Sequence, residues 1–188
     1  MVTVRPARVT DAEGVARVQA RTWQDAYAQI MPADVLERLD RQIDARIGRV
    51  RQYLSEGRYQ TLVAEVRSAV AGFVTYGAYR DNDRPDQPDP AVGEVLAIYV
   101  DPRRQGMGAG RSLMDAAVGA LRASGATEVR LWVLEENAPS RRFYERYGLA
   151  PDGARHTFQV TRDDGTVVDL PEVRYTMALD HDGRLANA

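Results

Sequence analysis

The segment that most restricts the fold of this chain passes from an apolar strand pattern through a glycine-rich turn into a helical pattern. The strand pattern is VLAIYV at residues 95–100, and the turn QGMGAGRS at residues 105–112 contains three glycines at alternate positions. A helix start exposes free N–H groups and the positive end of the helix dipole, and arginines flank this turn on both sides. The segment therefore predicts that an anion such as a pyrophosphate binds at a strand-to-helix junction.

The spacing of Gly106, Gly108 and Gly110 separates this turn from two common phosphate-binding motifs. G-x-G-x-G differs from the G-x-G-x-x-G of dinucleotide-binding folds, and the turn follows a fourth strand pattern rather than an opening βαβ unit. A Walker A loop would need Gly-Lys-Ser/Thr, which does not occur at this turn. Two alternatives stay open: a tight turn that needs glycine only for its backbone, and a nucleotide-binding protein that uses the turn for its phosphates.

Hydrophobic periodicity along the whole chain predicts the order β-α-α-β-β-β-α-β-α-β-β. This order indicates an α/β chain of the mixed α+β kind, in which helices cover a mixed sheet. The second helical pattern shows a break near Asp40, and residues 80–93, with three prolines and four aspartates, are predicted to form a loop within one domain. Residues 1–180 are expected to form a single domain, and residues 181–188 a flexible C-terminal tail.

Composition excludes several classes of function. The net charge of −2 gives no bulk attraction to nucleic acid or to an anionic membrane surface. The absence of cysteine excludes disulfides, thiolate metal sites and a cysteine nucleophile, and two histidines cannot build a histidine-rich metal cage. No signal peptide and no apolar run long enough to cross a bilayer are recognised. The sequence thus predicts a cytoplasmic protein with no metal, nucleic-acid partner or membrane partner.

The residues around the glycine turn resemble those of the GNAT superfamily of N-acetyltransferases. Residues 105–110, QGMGAG, fit the Q/R-x-x-G-x-G/A motif whose backbone amides hold the pyrophosphate of acetyl-CoA in that family. GEVLAIYVDPRRQGMGAGRSLM and LWVLEENAPSRRFYERYGL, both within residues 93–150, resemble its fourth and fifth strands and the helices that follow them. The resemblance implies the acyl-CoA N-acyltransferase fold, with a central, mostly antiparallel sheet, helices on both faces, and strands 4 and 5 splayed apart, often with a β-bulge.

The same resemblance implies where acetyl-CoA binds. Backbone groups of strand 4 are expected to hold the pantetheine arm as an added strand would, and the turn is expected to hold the pyrophosphate. An asparagine and a serine at the start of the next helix complete the predicted site, although the asparagine alone would also suit a helix N-cap. The cosubstrate residues predicted in this way are Ile98, Tyr99, Val100, Gln105, Gly106, Met107, Gly108, Ala109, Gly110, Arg111, Asn137, Ser140 and Tyr144.

Two residues are predicted to be catalytic by the resemblance. Glu94 stands where several members of the family have a general base that takes a proton from the amine, and Tyr144 where they have the acid that protonates the departing thiolate. Each residue also has a purely structural interpretation. Glu94 would serve equally as a strand residue paired with an arginine, and Tyr144 as a core residue of its helix.

The acceptor is predicted to be a primary amine of a small molecule or peptide. Trp23 and Tyr27 lie on a helix that borders the acceptor cleft in the family, though both could equally be core residues. The aspartates of residues 80–93 would attract a cationic amine. Because no cysteine is present, transfer is expected to be direct within a ternary complex. A non-catalytic acyl-CoA-binding sensor is the alternative, and analogy with the family suggests a homodimer.

Overall fold

The computed structural model describes residues 1–81 and 84–179, with the side chains of residues 80–81 and 84–88 left out of the description. The tail predicted for residues 181–188 lies outside these residues. Within them, short 3-10 turns at Val9–Asp11 and Pro102–Arg104 accompany the main elements. These elements are β1 (Val2–Pro6), α1 (Ala12–Ala26), α2 (Ala33–Arg41), α3 (Ile43–Glu56), β2 (Gln60–Val66), β3 (Ala69–Asp81), β4 (Arg84–Val100), α4 (Ala109–Ala123), β5 (Glu128–Leu134), α5 (Ala138–Tyr147), β6 (Ala150–Thr161) and β7 (Val167–Ala178).

The described strands form one mixed sheet in the order β1-β2-β3-β4-β5-β7-β6. The pairing of β4 with β5 is parallel, and the other neighbouring strands pair antiparallel. The predicted fold class is therefore confirmed. The second helical pattern forms two helices, with α2 ending at Arg41 and α3 beginning at Ile43, so a break lies close to the position predicted near Asp40.

Helices cover both faces of this sheet, and the alternation of strand side chains decides what each face buries. On β3, Val74 packs in the cluster that contains Leu113 and Met114 of α4, while the neighbouring Phe73 packs with Val18 of α1. Both helices are amphipathic and bury their apolar sides on the sheet. The sheet is thus held between α4 on one face and α1 on the other. No helix among the described residues has both the length and the apolarity needed to span a membrane.

The loop predicted for residues 80–93 is wrong for the described part of that range. β3 extends to Asp81, β4 begins at Arg84, and these two residues are register partners at the far end of the β3–β4 pair. Among the described residues the ladder of β4 with β5 begins at Val92, and just before it the Ala91 carbonyl accepts from the Thr127 N–H at 2.9 Å, so the earlier part of β4 lies outside that ladder. Prolines, which cannot donate to a ladder, are tolerated there. Of the aspartates predicted to attract an amine, Asp83 and the side chains of Asp81 and Asp86 lie outside the description.

Strands β4 and β5 separate soon after they meet, as predicted. Their parallel ladder covers only Val92–Glu94 against Glu128–Arg130. Directly after it, Thr75 of β3 pairs with Ala97 and Tyr76 pairs with Val95, so that Leu96 is an extra residue in β4. Such a bulge bends its strand and increases the local twist. The sheet is therefore open between β4 and β5 over the last residues of β4.

Candidate active site

A cavity of about 1070 Å³ occupies the opening between the two strands. One side is formed by residues 95–100 of β4, and the other by the end of β5 and the first turns of α5. The glycine turn closes one part of the cavity, while α1, β6 and β7 contribute side chains to another. Of the predicted site residues, Glu94 and Met107 do not line the cavity, and all the others do.

The glycine turn has a backbone that ordinary residues avoid. Gly106 has φ +75° and Gly108, the N-cap of α4, has φ +84°. A Cβ added to either glycine would meet no atom within 4 Å, so the requirement is conformational rather than steric. Gly110 has an ordinary backbone, and an added Cβ there would touch the Phe143 ring at 3.5 Å.

The turn also leaves a continuous row of backbone donors unused. Among the described residues, none of the seven N–H groups of residues 105–111 donates a hydrogen bond, and the first intramolecular donor is Ser112, to the Gly108 carbonyl at 3.0 Å. Residues 105–108 are exposed, so these groups are open to solvent or to a ligand. Unused backbone donors at the positive end of a helix form a site suited to an oxyanion.

Asp101 fixes the chain just before this turn. Its carboxylate is buried and accepts hydrogen bonds from Nε and Nη2 of Arg103, at 3.0 and 2.8 Å, and from Nη1 of Arg21 at 3.0 Å. It also accepts from the Arg103 backbone N–H, which caps the short turn at Pro102–Arg104. These bonds to Arg103 and Arg21 hold the pKa of Asp101 well below its usual range. Ion pairs and hydrogen bonds of Asp101 therefore hold the segment between the end of β4 and the glycine turn.

Arginines surround the turn as expected, but they have different roles. Arg103 does not line the cavity, because its side chain is bound to Asp101. Arg104 lines the cavity while one of its nitrogens donates to the Val66 carbonyl at 3.0 Å. Arg111 and Arg146 also line it, and the Arg111 guanidinium lies 5.6 Å from the centre of the Tyr147 ring. Three cations therefore border the cavity near the free N–H groups.

Helix α5 presents Tyr144 and Asn137 to the cavity. Tyr144 is buried, with ring centres of Phe143 and Tyr175 at 5.5 and 6.2 Å. Burial raises the pKa of the Tyr144 phenol, so the hydroxyl keeps its proton at neutral pH. Asn137 is the N-cap of α5, since its side-chain oxygen accepts from the Ser140 N–H at 3.2 Å. The capping role considered from the sequence is thus present, and Asn137 also lines the cavity.

Glu94 lies at the closed end of the sheet. It is buried and sits within the short β4–β5 ladder, in register with Arg130 on one side and Gly77 on the other. Its neighbour Val95 lines the cavity, whereas Glu94 does not. The structure therefore does not bring Glu94 into the same cavity as Tyr144.

Trp23 of α1 and Tyr27, the C-cap of that helix, line the cavity and also pack against an apolar cluster. Their ring centres are 5.5 Å apart in an edge-to-face arrangement. The Trp23 Nε1 atom is buried and makes no hydrogen bond with any described residue. An unsatisfied buried donor costs free energy, and a ligand in the cavity could supply its acceptor.

Glu172 is one of several cavity residues that sequence analysis did not single out. It lies on β7, where alternation places it on the same face of the sheet as Leu170 and Arg174, and its side chain is 18% exposed. Its Oε2 atom is 3.7 Å from Nδ1 of His156 on β6. Burial raises the pKa of Glu172, and the neighbouring His156 acts in the opposite direction. The strand pattern PEVRYTMAL contains no signal that would have distinguished this glutamate from a solvent-facing one.

Comparison with known proteins identifies the family of the chain. The model of the Acetyltransferase (GNAT) family matches residues 20–149. An uncharacterized N-acetyltransferase of Bacillus subtilis, YuaI, is 32% identical over 152 residues, which cover 78% of this chain and 79% of that protein. A mycothiol acetyltransferase of Beutenbergia cavernae is 48% identical over 64 residues, or 34% of this chain and 22% of that protein. The chain belongs to the GNAT family of acetyltransferases, as its motifs predicted.

Solved structures with low sequence identity share the fold. The PaiA N-acetyltransferase of Thermoplasma acidophilum, in complex with coenzyme A, superposes with a TM-score of 0.69 at 18% identity, covering 95% of this chain and 99% of that one. YncA of Salmonella typhimurium, with acetyl-CoA, gives 0.64 at 23% identity, covering 100% and 99%. This chain therefore shares its overall fold with both proteins.

Proposed function

We propose that this protein is an N-acetyltransferase that transfers an acetyl group from acetyl-CoA to a primary amine. The observation that carries the proposal is the row of seven unused backbone donors at residues 105–111, located where the sheet opens between β4 and β5. A pyrophosphate suits free N–H groups at the positive end of α4. Arg104, Arg111 and Arg146 border the same part of the cavity and add favourable charge.

The open edge of β4 supports the binding of an extended arm beside the strand. β4 bonds to β3 along one edge, while the other edge of Ile98, Tyr99 and Val100 faces the cavity because the β5 ladder has ended. An extended chain that carries amides can bond to such an edge as an added strand does. Asn137 and Ser140 stand across the opening on α5. The arm would then direct the thioester toward Tyr144.

The chemistry requires a neutral amine and a proton for the departing sulfur. Acetyl-CoA supplies the activated acyl group. Tyr144 holds a proton on a buried hydroxyl that lines the cavity, and it is the proposed acid. Burial disfavours a tyrosinate, and a thiolate formed in the same cavity would be disfavoured for the same physical reason, which favours protonation of the departing sulfur. Glu94 stays a prediction for the base and, from its position, would need water to reach the amine.

Release of the coenzyme A thiol provides a direct test with a broad panel of amines. The chain contains no cysteine and no lysine, so it adds neither a thiol background nor acetylation of lysine side chains. We expect a thiol to appear in proportion to amide product, without an acetylated enzyme. Binding of coenzyme A without turnover across the panel would favour an acyl-CoA sensor instead. Preference for ATP or NAD over coenzyme A in competition would contradict the proposed cosubstrate. Cytoplasmic location and a homodimer remain proposals from the sequence.

A further inference from the structure

The cavity is polarised along its length. Around the glycine turn its lining carries cations and free N–H groups. Two carboxylates line it among the described residues, the exposed Asp25 of α1 and the largely buried Glu172 of β7. The lining that accompanies Glu172 is aromatic, with Trp23, Tyr27, Tyr99, Trp132 and Phe158. An anion and a cation would therefore be favoured in different parts of one cavity.

Glu172 has few interactions for a carboxylate with so little exposure. No arginine of the described residues lies within 4 Å of its oxygens, and its ion-pair partner there is His156 at 3.7 Å. That distance exceeds a hydrogen bond. A buried carboxylate without a strong donor is costly in the free protein. A ligand that brings a positive N–H group into the cavity would remove this cost.

The surrounding rings favour the same kind of ligand. Trp23 lies edge-to-face with Tyr27 and with Phe158, at centroid distances of 5.5 and 6.2 Å. Such rings attract a cation placed over their faces. The guanidinium groups of Arg46 and Arg174 lie 5.8 and 5.5 Å from the ring centres of Trp23 and Trp132. Neither arginine lines the cavity, so the ring surfaces that line the cavity remain available to a ligand.

We propose that Glu172 and these rings form the subsite for a primary ammonium, and that Glu172 takes the proton which converts it into the nucleophilic amine. This inference rests on the proposed function and names its acceptor class. Tyr27 interacts electrostatically with both Tyr144 and Glu172, so the proposed acid and base lie near one residue. The assignment gives the base role to a residue that lines the cavity, which Glu94 does not.

The proton and electron pairs balance in this scheme. One proton moves from the ammonium nitrogen to the Glu172 carboxylate, and the nitrogen lone pair then forms a bond with the acetyl carbonyl carbon. The carbon–sulfur bond breaks, its electron pair stays on sulfur, and sulfur takes the Tyr144 proton. The nitrogen loses its second proton, which restores Tyr144, while Glu172 returns its own proton to water. The products are a secondary amide and a free thiol.

Tryptophan fluorescence reports on this subsite without any turnover. The chain has two tryptophans, and both line the cavity. We would titrate the protein, without acetyl-CoA, with 2-phenylethylamine, the neutral 2-phenylethanol and the anionic phenylacetate. The ammonium should bind more tightly than the other two. Glu172→Gln should weaken the ammonium by about tenfold or more, as expected for loss of a charge-assisted hydrogen bond, and leave the alcohol unchanged.

Two controls separate charge recognition from structural damage. Asp169→Asn removes an equal charge from an exposed position on the same strand and should leave all three affinities unchanged. Coenzyme A affinity and thermal unfolding of Glu172→Gln show whether the variant is folded. Equal binding of amine and alcohol, or an ammonium affinity that Glu172→Gln does not alter, would overturn the inference. If the ammonium binds as expected but no amine yields thiol, the proposed function fails while the cation subsite stands.

Turnover distinguishes the two glutamates. With a cationic acceptor, Glu172→Gln should lower kcat/KM at neutral pH, and the loss should shrink with hydroxylamine, which is already neutral and needs no such base. Glu94→Gln should affect both acceptors alike. A loss confined to Glu94→Gln and specific for the cationic acceptor would return the base role to Glu94.

Discussion

Substitution of Gly108 by alanine tests the glycine turn at its N-cap. At φ +84° an L-residue costs about 1–2 kcal/mol relative to ordinary backbone. No atom lies within 4 Å of the added Cβ, so there is no clash to add. Because residues 105–108 are exposed, the turn in Gly108→Ala can relax in the free protein. The strain then falls mainly on the ligand-bound form.

Coenzyme A affinity should therefore fall by about 5- to 30-fold in Gly108→Ala, while thermal stability changes little. Calorimetric titration of the two proteins measures the ratio directly. Gly108→Asp should bind more weakly still, because it adds a negative charge against the pyrophosphate.

Gly119→Ala provides the matched control on the same helix. Gly119 lies in the interior of α4 with ordinary backbone, and its added Cβ would meet nothing within 4 Å. Alanine should stabilise that helix by about 0.5–1 kcal/mol and leave coenzyme A affinity unchanged. An unaltered affinity in Gly108→Ala, or an equal loss in Gly119→Ala, would refute the placement of the pyrophosphate.

Three further substitutions test Tyr144 as the acid, Asp101 before the glycine turn, and the largely buried Glu172. Tyr144→Phe should lower kcat by about a hundredfold or more with coenzyme A affinity retained; lost affinity with normal kcat would make the tyrosine structural. Asp101→Asn should reduce the free energy of unfolding by about 1.5 kcal/mol or more at neutral pH. Because Arg103 and Arg21 depress the pKa of Asp101, its contribution is present above the ordinary carboxyl range and is lost as the pH falls, so urea denaturation should show the two proteins converging in acid. Glu172→Gln should raise the unfolding temperature at neutral pH, since burial raises the Glu172 pKa and the ionised form opposes folding; a lower temperature would contradict that cause.

The local chemistry of the glycine turn was readable from the sequence. Positive φ at Gly106 and Gly108 and the N-cap at Asn137 involve residues close along the chain. Spacing carries such information, because the residues that interact are only a few positions apart. The resemblance of residues 93–150 then extended this local knowledge to the split of the sheet.

The errors arose where distant elements decide the outcome. Pro85, Pro88 and Pro90 indicated a loop, yet they lie on a part of β4 outside its ladder with β5, which the local composition does not reveal. Glu172 lines a cavity together with Tyr27 and Tyr99, which are about 145 and 73 positions away along the chain. Glu94 stays a prediction for the base: motif position suggested it, and motif position alone does not show which residues line the cavity.

The short ladder at Val92–Glu94 has a mechanical consequence. The sheet consists of two parts, β1 to β4 and β5 to β7, and the short ladder joins them at one end only. A molecule bound between the two parts would form hydrogen bonds in place of those missing between β4 and β5 and would couple the motions of the two parts. A molecule that binds there first would therefore complete one side of the cavity that the second substrate must contact.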